Sequence, residues 1–467
     1  MFIIPNICRI AQCFFRANCA DFICKGECCP LNTCKRLACL LFVFAALLTP
    51  ACAVEPPVIN AKAAILYELT NDTVLFEQNA DEKLYPASTT KLMTAIVASE
   101  NGNLGDMVTV SPEAVDGLYE RGSSVFLIPG EQMAFSDMLR YLLVASGNDA
   151  ANALAEHVAG SVDAFVEMMN ARAAGLGCTG THFANPHGLH DENHYTTARD
   201  LLRITRCAMQ NPLIAEIVSM QQITIAPTNK HPNETRLTTT NHLISRIRRG
   251  DYYYESAIGI KTGFTTPAGY CLVAGAQNGD LTYFSVVLGA SEGEDGSLGN
   301  FTETIKLLDY AKEGFSVQPL TQGQDPVTEV PVRLASDRDS LVLVPEGSLS
   351  ALLPSDFDPS LVQVDFTTKQ DICAPISKGQ VLGEAVFSYN GKAYGTLNLV
   401  ANDDIERSTV LYVVDRITSF FGGTVFRVIV GALLALAVIL VIWLFIMRSR
   451  NRRRRRRSSR RGGRYRM

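Results

Sequence analysis

Pro86-Ala87-Ser88-Thr89-Thr90-Lys91-Leu92-Met93-Thr94-Ala95 is the stretch on which the reading of this chain turns. It predicts a turn followed by a helix. Pro86 stiffens the entry, and Leu92, Met93, Ile96 and Val97 recur at the spacing of one buried helical face. Ser88 falls at the helix N-terminus with Lys91 three residues on. Positions i and i+3 share a face, so the lysine stem can bring its nitrogen to the hydroxyl. That geometry suits a serine nucleophile with a lysine base, and the helix N-terminus adds partial positive charge where an oxyanion would form. S-x-x-K alone recurs by chance in any long chain, and it reads equally well as a helix start with one exposed lysine. The rest of the chain decides between the two.

Upstream, 61–68 and 73–77 read as a hairpin around Thr70-Asn71-Asp72. Downstream, 113–127 reads as polar loop with short strand pieces. A helix follows over 136–145, with Met138, Leu139, Leu142 and Leu143 on one side. It ends at Ala145-Ser146-Gly147-Asn148-Asp149, and a second amphipathic helix runs on through 158. Then come a helix over 162–174, a histidine-rich loop over 182–194, and a helix over 198–209 capped by Thr197. The polar stretch 227–249 carries a basic cluster at Arg246, Arg248 and Arg249. A strand over 257–262, a turn over 263–269, and strands over 270–276 and 281–288 about Gln277-Asn278-Gly279-Asp280 form a strong hairpin, closed by a helix over 301–313. Antiparallel strands flanked by helices make an α+β architecture. From Pro319 the texture changes to short strands (327–334, 340–344, 361–366, 380–389 and 392–400) without a helix, the signature of a small all-β domain.

The chain of 467 residues is long enough for two or three domains, and 47% hydrophobic content supports real cores. With 19% charged residues it is no disordered polyampholyte. Twelve arginines follow Met447 with no acid among them, so the remainder carries a net charge of −17. They sit beside an apolar run over 428–447, long enough to cross a bilayer as a helix, which argues against a nucleic-acid enzyme. The positive-inside rule keeps those arginines cytoplasmic and leaves the body outside. Ile405 to Phe421 reads as a stalk or an amphipathic helix, with Val410, Val414, Ile417 and Phe421 on one face.

The other end agrees. Lys35-Arg36, the apolar run 37–48 and Ala51-Cys52-Ala53 read as a secretory signal peptide cut after Ala53. Cys52 also admits a lipoprotein reading, although Thr49 and Pro50 fit one poorly. Residues 1–34 hold Cys8, Cys13, Cys19, Cys24, Cys28, Cys29 and Cys34 in no familiar metal spacing, and read as a long leader of unknown role. Cys178, Cys207, Cys271 and Cys373 are widely spaced and read as isolated thiols.

Two further motifs join the first: Ser146-Gly147-Asn148 at a helix-to-helix turn, and Lys261-Thr262-Gly263 on the strand that opens the strong hairpin. S-x-x-K, S-x-N and K-T-G, in that order, resemble the penicillin-binding protein and serine β-lactamase superfamily. Within it the chain resembles the D-alanyl-D-alanine carboxypeptidases of the low-molecular-mass, peptidase S11-like group over roughly residues 55–405. The neighbourhoods Asn185-Pro186-His187-Gly188-Leu189, Tyr195-Thr196-Thr197-Ala198-Arg199-Asp200 and Gly259-Ile260-Lys261-Thr262-Gly263-Phe264-Thr265 add to the likeness.

The resemblance implies a β-lactamase/transpeptidase-like domain over 55–315 with Ser88, Lys91 and Ser146 catalytic. It implies that Asn148, Lys261, Thr262, Gly263 and Phe264 bind substrate, and that no metal or other cofactor is needed. The remaining divisions are a small β domain (319–402), the stalk or amphipathic helix (405–421), the transmembrane helix (428–447) and the arginine tail (448–467). The implied partners are a peptidoglycan stem peptide ending in D-Ala-D-Ala, β-lactams as covalent inhibitors, and the lipid bilayer, with no nucleic acid. The implied place is the bacterial cell membrane, spanned once, with the catalytic domain extracytoplasmic and the C-terminus cytoplasmic.

Three other readings stand beside this one. A β-lactamase-like hydrolase fits the scaffold, but no clear Glu-x-x-x-Asn motif follows Ser146. A penicillin-sensing receptor would normally carry a signalling domain where the arginine tail stands. His182, His187, His190 and His194, with Asp191 and Glu192, admit a metal site, but without the H-E-x-x-H helical spacing.

Overall fold

The structure, a computed structural model, describes residues 55–118, 122–247 and 250–459, with side chains to residue 452. The leader, the signal peptide, Arg248, Arg249 and the end of the arginine tail lie outside the described residues. The chain opens on β1 (Ala63–Glu68) and β2 (Thr73–Gln78), paired antiparallel around the expected turn. Every residue of β1 is buried, so its sequence lacks the alternation of a half-exposed strand.

A 3₁₀ turn over Ala87–Thr90 feeds α1 (Lys91–Asn101). One buried face was too narrow an expectation for this helix. Lys91 through Ala98 are all buried, because α1 runs through the middle of a helical layer. Around it stand β3 (Met107–Thr109), α2 (Pro112–Val115), β4 (Gln132–Ala134), α3 (Phe135–Leu143), α4 (Asn148–Ala159) and α5 (Val162–Gly175). The strand pieces expected within 113–127 are absent from the described residues there. β3 and β4 pair on either side of that segment, and α2 is capped by Ser111. α6 (Ala198–Gln210) begins at Thr197, whose side chain accepts from the Asp200 amide as the sequence predicts. Elements to which the sequence reading gave no assignment come next: α7 (Pro212–Val218), then the hairpin of β5 (Gln222–Ile225) and β6 (Thr235–Thr238), the latter inside the polar stretch 227–249.

The strong hairpin supplies β7 (Ala257–Thr265), β8 (Gly269–Asn278) and β9 (Leu281–Ala290), followed by α8 (Gly299–Gly314). β7 runs on to Thr265 and so takes in Gly263 and Phe264, which the sequence reading gave to a turn. The sheet order is β2-β1-β9-β8-β7, antiparallel throughout. Ile65, Val286, Val273 and Lys261 are successive cross-strand partners, so they share one face. The three apolar members join the core beneath α1, and Lys261 ends that row at the sheet edge. On the opposite face Leu66 and Val287 pack against Leu307 and Leu308 of α8. β7 has one neighbour, which leaves its other edge free beside the 3₁₀ turn.

α8 passes directly into β10 (Phe315–Thr321), ahead of the change expected at Pro319. The all-β part continues with β11 (Thr328–Pro331), β12 (Ser340–Pro345), β13 (Leu349–Pro354), β14 (Gln363–Thr368), β15 (Val381–Tyr389) and β16 (Lys392–Ala401). β11 covers the middle of the strand expected over 327–334, and β10 and β13 form a pair not anticipated at all. β11-β12-β16-β15-β14 make one sheet, and Leu341, Leu343, Leu353, Phe387 and Leu399 form a core of their own. Ile405 is buried in that core. The amphipathic helix therefore starts later than expected, as α9 (Thr409–Gly422) capped by Ser408. Its Val410, Val414, Ile417 and Phe421 are exposed. α10 (Thr424–Ser459) contains one candidate membrane span, Thr424–Arg452, with none of its apolar window buried in protein.

Candidate active site

The nucleophile candidate is held by two unusual backbone positions. Ala87 has φ 48°, in the left-handed region, so the chain turns sharply just before Ser88. Gly188 (φ 87°) lies so close that a Cβ there would fall 1.9 Å from the Ala87 carbonyl oxygen; no other residue fits. Thr89 and Thr90 hydroxyls donate to the Pro86 and Ala87 carbonyls at 2.7 and 2.8 Å and brace the turn.

Lys91 is fully buried, and its Nζ lies 2.9 Å from Ser88 Oγ, 2.7 Å from Asn148 Oδ1 and 2.8 Å from the His187 carbonyl oxygen. None of these partners is charged. Burial first, and the charge of Lys261 second, hold Lys91 well below the usual lysine range, against a smaller opposing pull from Asp149. A neutral amine has two hydrogens and one lone pair. The carbonyl oxygens of Asn148 and His187 can only accept, which directs the lone pair to the Ser88 hydroxyl.

The second and third motifs meet at Lys261. Its Nζ donates to Ser146 Oγ and to the Thr262 carbonyl, both at 2.9 Å. Burial pushes its pKa down to about 7. Ser146 also has a positive φ of 63°, at the junction of α3 and α4. Left-handed backbone at Ala87, just before Ser88, and at Ser146 is the kind of cost, on the order of 1–3 kcal/mol each, that persists where the surroundings over-determine the conformation. The Thr262 hydroxyl is 2.6 Å from that of Thr240. Gly263 brings β7 against the turn: a Cβ there would lie 3.0 Å from both the Pro86 oxygen and the Ser88 amide nitrogen. Phe264 is half exposed at the rim, its ring centroid 4.5 Å from that of Tyr270.

These residues border a cleft of about 360 Å³ whose lining includes Ser88, Ser146, Asn148, Thr262, Gly263 and Phe264. All eight residues singled out in the sequence thus converge, with Lys91 and Lys261 buried behind the cleft wall. Sequence reasoning missed three contributors. The His187 carbonyl is a backbone atom and leaves no side-chain signal. Thr240 sits in a run of threonines that read only as polar. Asp149 is fully buried without a cation, and its carboxylate accepts from Ser124 Oγ and from the amides of Val125, Leu127 and Ala150. It thereby ties the cleft-lining segment around Ser123 to the start of α4; an acid in the first turn of a helix was its only sequence trace.

The histidines have other work. His187 Nδ1 accepts from the Leu189 amide, and His194 Nδ1 accepts from the Ala184 amide while its Nε2 contacts Thr90 Oγ1 at 2.8 Å. Burial is the main cause that pushes them down to about 3 and about 4, so both are neutral. Among the described residues no three His, Cys, Asp or Glu side chains gather as a metal would require. The four described cysteines are free.

Known proteins resemble this chain over most of its length. The family profile described as D-alanyl-D-alanine carboxypeptidase matches residues 51–292, and that of the penicillin-binding protein 5 C-terminal domain matches residues 315–407. The chain is 32% identical over 354 residues to D-alanyl-D-alanine carboxypeptidase DacF of Bacillus subtilis (strain 168), covering 75% of this chain and 87% of that one. It is 35% identical over 370 residues to DacC of Escherichia coli (strain K12), likewise a D-alanyl-D-alanine carboxypeptidase, covering 76% and 86%. Penicillin binding protein 5 from Haemophilus influenzae superposes with a TM-score of 0.55 at 32% identity, over 76% of this chain and 100% of that one.

Proposed function

The chain belongs to the D-alanyl-D-alanine carboxypeptidase family, peptidase S11, and from that premise we propose that it releases terminal D-alanine through an acyl-enzyme on Ser88. Membership implies a peptidoglycan substrate ending in D-Ala-D-Ala and binding of β-lactams. The observation that carries the mechanism is the 2.9 Å contact between Ser88 Oγ and a buried Lys91 Nζ. Lys91 takes the hydroxyl proton as Oγ attacks the carbonyl between the two D-alanines. The oxyanion is received by the amides of Ser88 and Phe264, each such donor being worth roughly 3 kcal/mol.

Lys261 holds the terminal carboxylate, with the Thr262 and Thr240 hydroxyls beside it. Asn148, whose Oδ1 is taken by Lys91, offers its Nδ2 to the substrate peptide. The C–N bond breaks, and the departing amine needs the proton held by Lys91; we assign its delivery to Ser146, which lines the cleft. Water then attacks the ester, Lys91 again serving as base, and Ser88 regains its proton. Intact mass of the protein after penicillin treatment should show one covalent adduct, lost in Ser88→Ala, and a pentapeptide should yield free D-alanine. An undiminished adduct in Ser88→Ala would remove Ser88 from the role.

The two lysines set opposite limbs of the pH profile. Lys91 acts when neutral, so activity rises as pH passes its depressed pKa. Lys261 acts when charged, so kcat/KM falls as pH passes about 7 in the free enzyme. A bound carboxylate favours the charged form, so the alkaline limb of kcat should lie at higher pH than that of kcat/KM. Lys261→Arg should abolish that limb. Coincident alkaline limbs, or a limb that survives in Lys261→Arg, would refute the assignment.

The apolar helix α10 supports attachment to a bilayer, and we propose that it spans the membrane with the body extracytoplasmic. The arginines after Met447 and the signal-like segment at 35–53 support that orientation. Protease added to intact cells should remove the catalytic domain and spare a tag placed after Met467. Loss of the tag with the body protected would reverse the orientation.

A further inference from the structure

α10 does not stop where its apolar run stops. The helix continues past Met447 through Ser459, twelve further residues of which eight are arginine. At ~1.5 Å per residue this extension is about 18 Å long. The run from Arg452 to Arg457 fills more than one full turn, so every side of the helix has an arginine position. No Asp or Glu follows Asp415 in the chain. The segment therefore supplies no counter-charge of its own, and like charges at i and i+4 work against a helix. A helix charged on all sides and without acids draws its anions from outside.

Distance decides which anions are at hand. In a spanning helix Met447 stands at the edge of the hydrocarbon, and Arg448, Arg450 and Arg452 follow ~1.5, ~4.5 and ~7.5 Å further along the axis. All three are exposed. They lie within the Debye length of about 8 Å at physiological ionic strength, so headgroup charge reaches them before salt screens it. Orientation alone asks for less. The other flank of the span carries Arg416 and Arg427, and a modest excess over these satisfies the positive-inside rule. Nucleic acid is the weaker match. The segment after Met447 has one aromatic residue, Tyr465, to stack on bases, whereas the bilayer is joined to the arginines by the helix itself.

We propose that the arginine extension of α10 is a binding surface for anionic phospholipid, which it gathers around the helix at headgroup level. A guanidinium presents its N–H donors as a fork that meets two phosphate oxygens at once, and the long stems of Arg448, Arg450 and Arg452 let those forks settle among the headgroups. The surface is electrostatic, so it selects for charge and weakens with salt. It rests on the reading of α10 as a membrane span, whichever way that span points.

The test reconstitutes the full-length protein into phosphatidylcholine bilayers holding a minor fraction of phosphatidylglycerol and a trace of spin-labelled lipid. Electron spin resonance reads the share of label slowed by contact with the protein. Labelled phosphatidylglycerol should be enriched in that share at least about threefold over labelled phosphatidylcholine at low salt, and the excess should shrink in ~0.5 M salt. Arg448→Gln/Arg450→Gln/Arg452→Gln should lose about half of the excess or more, with an unaltered penicillin adduct showing that its body is folded. Arg448→Lys/Arg450→Lys/Arg452→Lys should keep most of it. Equal enrichment of the two labels, or an excess untouched by salt and by the Gln variant, would overturn the proposal. So would loss of the excess on adding an equimolar duplex oligonucleotide, which would pass the segment to nucleic acid. No slowed component from either label would instead overturn the membrane span beneath it.

Discussion

The burial of Lys91 among uncharged oxygens is the constraint to which the rest of this domain answers. An ammonium in that place would forfeit several kcal/mol of hydration with no carboxylate to compensate, and would face a second buried lysine. The nearest acid, Asp149, has its oxygens occupied by Ser124 and three amides. A neutral amine would avoid this penalty and leave its lone pair for Ser88. The base role proposed for Lys91 thus rests on packing: a lysine on the exposed side of a helix would keep its ordinary pKa and stay protonated.

Several features make sense as supports for that placement. A helix buried on all sides is needed to exclude water from a lysine in its first turn, and four neighbouring helices supply the cover. The loop that contributes the His187 carbonyl is held near Ser88 by the Gly188–Ala87 approach and by bridges between Leu84 and Thr196. The central sheet ends in β7, whose unpaired edge offers an extended peptide a line of backbone groups beside the nucleophile. Lys261 stands on that edge strand, where its charge helps hold the Lys91 pKa down and where the proposed mechanism has it meet the substrate's carboxylate. Burial brings its own pKa down to about 7, so in the proposed mechanism a bound carboxylate is what would secure its charge.

Much of this was legible in the chain. S-x-x-K, S-x-N and K-T-G carry their chemistry in side chains at fixed spacing, and the hairpin of β8 and β9 has a turn sequence that leaves little choice of register. The limits of legibility have physical causes. The full burial of α1 could not be read from Leu92, Met93, Ile96 and Val97, because Thr94, Ala95 and Ala98 pack tightly without being strongly apolar. β6 was hidden in the polar stretch 227–249 because it belongs to a two-stranded hairpin and is itself mostly half-exposed. The sequence left Gly263 at the boundary of strand and turn, whereas it is a strand residue kept small by the close approach of Ser88. The His187 carbonyl, being backbone, could not have been found from side-chain chemistry, and Thr240 matters through a neighbour on another element.

The central claim is that Lys91 is neutral in the resting enzyme because of its burial and of Lys261. Nitrogen-15 NMR of the lysine side chains, with Lys91 assigned by its loss in Lys91→Arg, reads that state directly. The account predicts a neutral-amine resonance for Lys91 at physiological pH, moving toward the ammonium position when Lys261 is replaced by Met. An ammonium resonance that persists into the ordinary lysine range, near ~10.4, would contradict it.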